Sequence, residues 1–425
     1  MWKLVNKFLK ILGPGVITGA ADDDPSGIAT YSQAGAQFGA RILWINLFLL
    51  PFQAAVQEAC ARIGAVTGHG LTAVVKQYYP KWVVYSVVSL LFMANTINIG
   101  ANIGAMAEAI QLVFPLNFSA YMLVIAAIIM IMQVFTSYRT YAKIMKWLAL
   151  TLLVYPLTLI LVANGQWGVL WQATIRPNIE WTYAFFFILV GVAGTTISPY
   201  MFFWQAGEEV EEERENKLIR KGKPLVGKVF ISRLRLDNVV GMVASGVAAW
   251  AIMALAAIVL FPNGITDIAT AADAAKALEP LVAGFPNAGF VAKLLFAGGI
   301  ISLGFLSVPV LSGSAAYAIA EAWNMREGLN LKLAKAHGFY GAMTIATLVG
   351  LSFNYLGIDP MKALVYTAVI NGVVAVPLVF IIGRLAASKL VMGKYRSGIL
   401  SRALVSLTAL LMGVGAIGMG WMMIK

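Results

Sequence analysis

Long apolar runs constrain the fold of this chain more than any other feature. Eleven such runs lie between charged or Pro/Gly-rich breaks, at residues 8–38, 42–66, 82–113, 118–136, 141–163, 182–207, 235–261, 288–321, 334–354, 360–386 and 399–424. A membrane-spanning helix needs about 20 mainly apolar residues. Lipid leaves backbone groups unpaired except in helices or closed barrels, and runs such as VIAAIIMIM (124–132) lack the alternation of barrel strands. The sequence therefore predicts an all-α integral membrane protein with eleven transmembrane helices.

Composition excludes a soluble protein and several kinds of site. Charged residues make up 12% of the chain and apolar residues 60%, against about 25% and about 45–50% in ordinary globular proteins. The single cysteine, Cys60, excludes an intrachain disulfide, and with only two histidines it excludes a Cys/His zinc cluster. No catalytic grouping or phosphate-binding loop stands out. We therefore expect no enzyme and no cofactor.

The basic residues predict the orientation. If the loops alternate across eleven helices, 25 of the 31 lysines and arginines fall on the side of the amino terminus. The positive-inside rule then places the amino terminus in the cytoplasm and the carboxyl terminus outside. The net charge of +12 is thereby explained by the bilayer, without a nucleic acid. We expect a multi-pass monomer in the inner (plasma) membrane of a prokaryotic cell, with no cleaved signal because Pro14 and Gly15 interrupt the first apolar run.

One segment, GEEVEEERENKLIRKGKPLVGK (207–228), is strongly charged. It places six glutamates before a run of basic residues, and mixed charge of this kind is typical of a solvated helix end followed by a flexible loop. A regulatory or ion-attracting role is the alternative.

Two of the apolar runs are interrupted near their middle. In the first, Asp22, Asp23 and Asp24 precede Pro25, Ser26 and Gly27, and in the sixth Ser198 and Pro199 interrupt an apolar segment. Proline removes a backbone donor and glycine lets the chain unwind. The three acids could instead form a hydrated loop between two short re-entrant segments, and Ser198-Pro199 could form a simple kink.

A matched pair of broken helices is typical of transporters built from two inverted repeats. We therefore predict a first repeat of helices 1–5 in residues 1–163, a second of helices 6–10 in residues 178–386, and an accessory helix 11 in residues 399–424. In such folds the freed carbonyls and helix ends form a pocket near the membrane midplane. Carbonyls with a carboxylate bind cations, and Asp24 is the predicted ligand because it directly precedes Pro25.

Four segments resemble one transporter family. They are DPSG (24–27), QEACARIGAVTGHGL (57–71), SRLRLDNVVGM (232–242) and LSGSAAYAIAEAW (311–323). They are similar to the natural resistance-associated macrophage protein (NRAMP) family of divalent-metal transporters, over essentially helices one to ten. The resemblance implies a fold of the leucine-transporter type with a metal site at the two breaks.

The resemblance also shows where the site is altered. The family's first-helix motif Asp-Pro-Gly-Asn appears here with Asp24 retained and Gly27 in place of the Asn. In the sixth helix Thr195 stands at the family's Ala, Ser198 at its Met and Tyr200 at its His. The metal site implied by the resemblance comprises Asp24, Gly27, Ala21, Thr195 and Ser198, with Asn371 and Tyr200 expected to hold water around the ion.

Loss of the thioether favours hard cations, since oxygen ligands suit Mg²⁺ and Mn²⁺. Smaller residues at positions 27 and 198 make room for a partly hydrated ion, which Mg²⁺ prefers. The pattern resembles the bacterial NRAMP-related magnesium transporters. The family's two third-helix acids are replaced here by Asn98 and Ala101, so with Tyr200 the proton route of the family is changed.

We therefore predict an alternating-access, uniporter-like carrier of Mg²⁺ and also Mn²⁺ without proton coupling. Three alternatives remain: a proton-coupled Mn²⁺/Fe²⁺ symporter, a sodium-coupled carrier of organic solutes, and an intramembrane enzyme or sensor.

Overall fold

The structure is a computed structural model that describes residues 14–135, 144, 147–220, 223–284 and 286–424. Seventeen α-helices lie in these ranges: α1 Pro14–Asp22, α2 Pro25–Phe38, α3 Trp44–Thr67, α4 Leu71–Tyr78, α5 Lys81–Val113, α6 Phe118–Phe135, α7 Val154–Val162, α8 Trp167–Ile175, α9 Tyr183–Thr196, α10 Pro199–Glu215, α11 Lys228–Val259, α12 Ala271–Ala275, α13 Ala288–Ala322, α14 His337–Ser352, α15 Pro360–Ala387, α16 Lys389–Met392 and α17 Ile399–Ile424.

Short 3-10 turns connect them at Gly39–Ile42, Ala149–Leu153, Phe261–Asn263, Lys276–Val282, Leu333–Lys335, Phe353–Leu356 and Gly393–Tyr395. The described strands are two antiparallel pieces of two residues, β1 Ile219–Arg220 and β2 Lys223–Pro224. The prediction of an all-α fold is confirmed.

Eight of the described helical segments are long and apolar enough to cross a membrane, and up to ten if each of two sharply bent helix pairs is one span. The predicted number of eleven therefore stays a prediction. Two of the predicted runs, 8–38 and 141–163, extend beyond the described residues.

The peripheral helices present apolar side chains outward, as lipid contact requires. In the most apolar 18-residue stretch of α6 and of α17, only 28% and 22% of the residues are buried. Large side chains on them are exposed, among them Phe135, Ile417 and Ile424. The surface around these helices is thus suited to hydrocarbon.

Both predicted helix breaks are confirmed. α1 ends at Asp22 and α2 begins at Pro25, while α9 ends at Thr196 and α10 begins at Pro199. In each case proline is the first residue of the second helix, where its missing N–H costs nothing. The simple-kink alternative for Ser198-Pro199 is wrong, because two residues separate the helices.

Glycines bring the broken helices very close to their neighbours. A Cβ atom at Gly19 of α1 would lie 2.4 Å from the Gly241 carbonyl oxygen of α11, and one at Gly194 of α9 would lie 2.1 Å from the Ala368 oxygen of α15. Only glycine allows backbones to approach this closely. The breaks are therefore held between tightly packed helices.

The expectation of a solvated helix end in residues 207–228 is wrong for its acidic part. α10 continues to Glu215, and four of its glutamates are 1–5% exposed: Glu208, Glu209, Glu211 and Glu213. Glu211 accepts hydrogen bonds from Asn330 Nδ2 at 2.9 Å and Tyr317 Oη at 3.3 Å. The charge pattern of the sequence could not predict this burial, because the hydrogen-bonding partners of Glu211 lie more than 100 residues away.

Candidate metal-binding site

The two helix breaks meet each other inside the bundle. Tyr200 Oη of α10 donates to the Ala21 carbonyl of α1 at 3.3 Å. The hydroxyls of Tyr31 and Thr196 are 3.0 Å apart. Because these contacts join both sides of both breaks, the freed ends of α1, α2, α9 and α10 surround one small region.

Asp24 lies at the centre of this region and is completely buried. Its Oδ1 accepts from Ser26 Oγ at 2.5 Å and from the Gly27 amide at 2.9 Å. Its Oδ2 accepts from Asn98 Nδ2 at 3.3 Å and Asn102 Nδ2 at 3.2 Å. The carboxylate caps the amino end of α2, where the helix dipole stabilises negative charge. The hydrated-loop alternative is therefore wrong, since Asp22 and Asp23 are also fully buried.

On the opposite side, the end of α9 supplies oxygen atoms. Ser198 Oγ has one proton and lies within hydrogen-bond distance of two carbonyls, those of Gly194 at 2.8 Å and Thr195 at 2.7 Å. Thr195 Oγ1 is buried and meets no hydrogen-bonding partner. A hydroxyl and carbonyls retain lone pairs after these contacts, so this end of α9 can still coordinate a hard cation.

Gly27 differs from its expected role. It lies in the first turn of α2, so the expectation that the chain unwinds at Gly27 is wrong, and the break is confined to Asp23 and Asp24. A Cβ atom at position 27 would lie 3.3 Å from Thr195 Oγ1. The glycine thus keeps the space between Asp24 and the α9 end open.

The two predicted coupling positions lie on α5, and both are buried. Asn98 contacts Asp24 directly, and its Oδ1 accepts from Thr367 Oγ1 of α15 at 3.1 Å. Ala101 makes no polar side-chain contact because it has no polar atom. Asn371 follows Thr367 by one helical turn, hence on the same face of α15, and both its amide atoms are buried without a partner. Asn371 can therefore face the same region.

Asn102 was missed by the sequence analysis. It follows Asn98 by four residues, so both amides project from one face of α5, and its Oδ1 meets no partner. The i, i+4 spacing was readable in NIGANIG (98–104). What could not be read is that this face of α5 packs against Asp24.

A separate cavity of about 320 Å³ opens where α2 ends and α9 and α15 begin. Its wall includes Gln33, Tyr183, Asp267 and Lys362. Gln33 holds the neighbouring loop, accepting from the Ile268 amide at 2.8 Å and donating to the Thr266 carbonyl at 3.0 Å. On α2 the cavity is lined by Gln33 and Gln37, which lie on the carboxyl-terminal side of Gly27 in the same helix.

Among the described residues, no group of three or more His, Cys, Asp and Glu could hold a metal ion. A cation at Asp24 would accordingly have one carboxylate, with carbonyl, hydroxyl and amide oxygens or water completing its coordination. This set of ligands is entirely oxygen and suits hard cations.

Comparison with known proteins identifies the family and the fold. The sequence profile of the family "Natural resistance-associated macrophage protein-like" matches residues 15–422. The divalent metal cation transporter MntH of Caldanaerobacter subterraneus subsp. tengcongensis is 26% identical over 377 residues, covering 86% of this chain and 82% of the relative.

Two solved structures are similar in fold. The Eremococcus coleocola manganese transporter, in complex with an aromatic bis-isothiourea substituted compound, superposes with a TM-score of 0.72 at 15% identity, covering 97% of this chain and 86% of its own. The closed form of Mhp1, a nucleobase-cation-symport-1 family transporter, gives 0.60 at 13% identity, covering 97% and 92%. The match over nearly the whole sequence identifies the chain as a multi-pass membrane transporter of the NRAMP family.

Proposed function

We propose that this protein carries divalent cations, Mg²⁺ and also Mn²⁺, across the membrane by alternating access and without a coupled proton. The observation that carries the proposal is Asp24, a buried carboxylate placed where two broken helices meet. The divalent metal cation transporter MntH and the manganese transporter among its relatives support a divalent substrate.

The charge distribution at the breaks favours a cation. α1 and α9 both end there, and the carboxyl end of a helix carries partial negative charge from its free carbonyls. The opposite, positive end of α2 is already occupied by the Asp24 carboxylate. Ala21 and Thr195 lie in these last turns. Together with Asp24 they form a site for positive charge, and a substrate carboxylate, as a sodium-coupled carrier of organic acids would bind, would be repelled.

The side chains favour a hard ion that keeps part of its water. Ser198 presents a hydroxyl to the carbonyls of the α9 end, where a thioether would favour softer metals. Gly27 leaves open the space in front of Thr195 Oγ1. Mg²⁺ sheds its water reluctantly, so an open oxygen-lined space is suited to it, with Tyr200 and Asn371 available to hold water.

The contacts of Asp24 support uncoupled transport. Asn98 and Asn102 contact its carboxylate from α5, and an amide does not exchange protons near neutral pH. Transport would then follow the concentration gradient and the membrane potential, which contributes about 2.3 kcal/mol per charge per 100 mV. A divalent ion receives twice that amount.

Movement between two open states would come from the two repeats, 1–163 and 178–386. The Asp24 carboxylate is closed off from solvent in this conformation, so the ion can enter or leave only after the helices around the breaks move. Rocking of one repeat against the other around a fixed site is the usual basis of alternating access.

The test is ion flux into liposomes containing the purified protein, with Mg²⁺, Mn²⁺ and internal pH followed together. We expect entry of both ions without acidification, and loss of entry in Asp24→Asn. Glu279→Gln, which neutralises an exposed acid, is the control and should transport normally. Mn²⁺ entry with acidification and without Mg²⁺ entry would instead establish the proton-coupled Mn²⁺/Fe²⁺ alternative.

A further inference from the structure

Two buried acids beside the site are not used by it. Asp22 and Asp23 are fully buried, but while Asp24 contacts α5, Asp22 faces α3 and α11. Its Oδ2 accepts from Ser245 Oγ of α11 at 3.2 Å and from Gln53 Nε2 of α3. The three consecutive acids thus divide between two sides of the break.

The Asp22 side has an excess of hydrogen-bond acceptors. Four buried oxygens meet no hydrogen bond of ordinary length and angle: Asp22 Oδ1, both carboxylate oxygens of Asp23, and Gln53 Oε1. The Ser245 hydroxyl has one proton, which it donates to Asp22, so both oxygens of Asp23 are left without a donor. Gln53 already directs its amide nitrogen to Asp22, and the Oε1 of the same amide group is left without a donor.

Buried carboxyl groups of this kind need either a proton or a positive partner. An isolated carboxylate in a low-dielectric interior is very unfavourable, so buried acids are paired, neutralised or bound to metal. None of the ion pairs found among the described residues includes Asp22 or Asp23. Two negative charges with a neutral amide oxygen and a hydroxyl match a hard divalent cation.

Two more buried polar side chains without a partner lie toward the beginning of α1. Glu58 of α3 is 3.4 Å from Arg235 of α11, and Leu50 of α3 contacts Gly246, so the two helices run antiparallel. Gln57 and Asn238 consequently lie at one level, about two turns from Asp22, and all their amide atoms are buried without a partner. They extend the unsatisfied polar groups toward the beginning of α1.

We infer that Asp22 and Asp23, with Gln53 Oε1 and Ser245 Oγ, form a second binding position for the transported divalent cation. Both positions hold an ion at the same time, and the ion on the α1 side of the break is the one that leaves, past Gln57 and Asn238. The inference rests on the proposed function and adds to it a second ion position along the path.

The test counts bound Mn²⁺ on the purified full-length protein, from the loss of the electron paramagnetic resonance signal of free Mn²⁺. We expect two ions per chain in the wild type, and one ion in either Asp23→Asn or Asp24→Asn. Thr18→Val, which changes another buried polar residue of α1, is the matched control and should keep two.

Thermal unfolding provides a second readout that a purely structural role would not produce. Without metal, Asp23→Asn should unfold at the same temperature as the wild type or higher, because it removes an unpaired charge. Added Mn²⁺ should raise the midpoint of the variant less than that of the wild type. A lower midpoint without metal, together with an unchanged Mn²⁺ shift, would overturn the inference.

Failure of the inference is distinguishable from failure of the proposed function. One bound Mn²⁺ in the wild type, or two in Asp23→Asn, would overturn the second position, and protonated acids would then explain the cluster. If Mn²⁺ flux remained dependent on Asp24 in that case, the proposed function would stand. Absence of any Mn²⁺ or Mg²⁺ flux would reject the function itself.

Discussion

Asn102→Ala should strengthen cation binding at Asp24, although it removes a polar contact. A carboxylate has about four lone-pair positions, and four donors reach Asp24 here, two to each oxygen. A cation must therefore displace at least one donor. The hydrogen bonds from the two amides to Oδ2 are the longest of the four, at 3.2 and 3.3 Å. These amides are therefore the donors that an ion displaces most easily.

The magnitude follows from the bond that the ion no longer has to break. A hydrogen bond to a charged group contributes about 1.5–3 kcal/mol, and a length near 3.2 Å is at the weak end of the normal range. Taking about 1.5 kcal/mol, the dissociation constant should fall roughly tenfold. Turnover should fall as well, because a more tightly held ion leaves more slowly.

The assay is Mn²⁺ binding to the purified protein, combined with the concentration dependence of Mn²⁺ uptake in liposomes. Asn95→Ala is the matched control, since Asn95 lies on the same helix, is equally buried, and donates to the Leu311 carbonyl and Ser314 Oγ. The control should leave the affinity unchanged. Tenfold weaker binding in Asn102→Ala would refute the reasoning and would make the amide a ligand of the bound ion.

Three further predictions concern selectivity, packing and pH. Ser198→Met should shift the preference in competition flux assays from Mg²⁺ toward Mn²⁺ or Cd²⁺, and an unchanged profile would remove Ser198 from the site. Gly194→Ala should lower the unfolding midpoint by an amount equivalent to at least ~2 kcal/mol, because its Cβ would lie 2.1 Å from the Ala368 oxygen; Gly168→Ala, with nothing within 4 Å, should not. Burial, opposed by Arg214 and reinforced by Glu211, raises the pKa of Glu327 to about 7. The folded state therefore binds this proton more tightly than the unfolded state does. The resulting stabilisation is full below pH 4.5 and is lost as the pH rises through 7. The unfolding midpoint of Glu327→Gln should therefore rise relative to that of the wild type as the pH increases from 5 to 8.5. Midpoints that change with pH in parallel would contradict this.

The helix breaks could be predicted from sequence because proline acts locally. Pro25 and Pro199 are each the first residue of a helix, a position that proline favours, and Asp24 is singled out by its position directly before Pro25. The altered positions Gly27, Thr195 and Ser198 were located through the family resemblance, and their part in metal binding stays a proposal.

The rest depended on packing between distant segments. Asn102, Gln53 and Ser245 are ordinary polar residues until α5, α3 and α11 are placed around the break. The glutamates of α10 were misjudged for the same reason, since charge pattern alone indicates a solvated helix. Partners such as Asn330 and Tyr317, which make a buried glutamate tolerable, are not encoded near it in the sequence.

The most direct test of the central claim is the position of Mn²⁺ in crystals of the protein, located by anomalous scattering. We expect a peak within coordination distance of the Asp24 carboxylate, between it and the end of α9 at Thr195, and loss of that peak in Asp24→Asn. A peak remote from both helix breaks, or one that persists in the variant, would contradict the account.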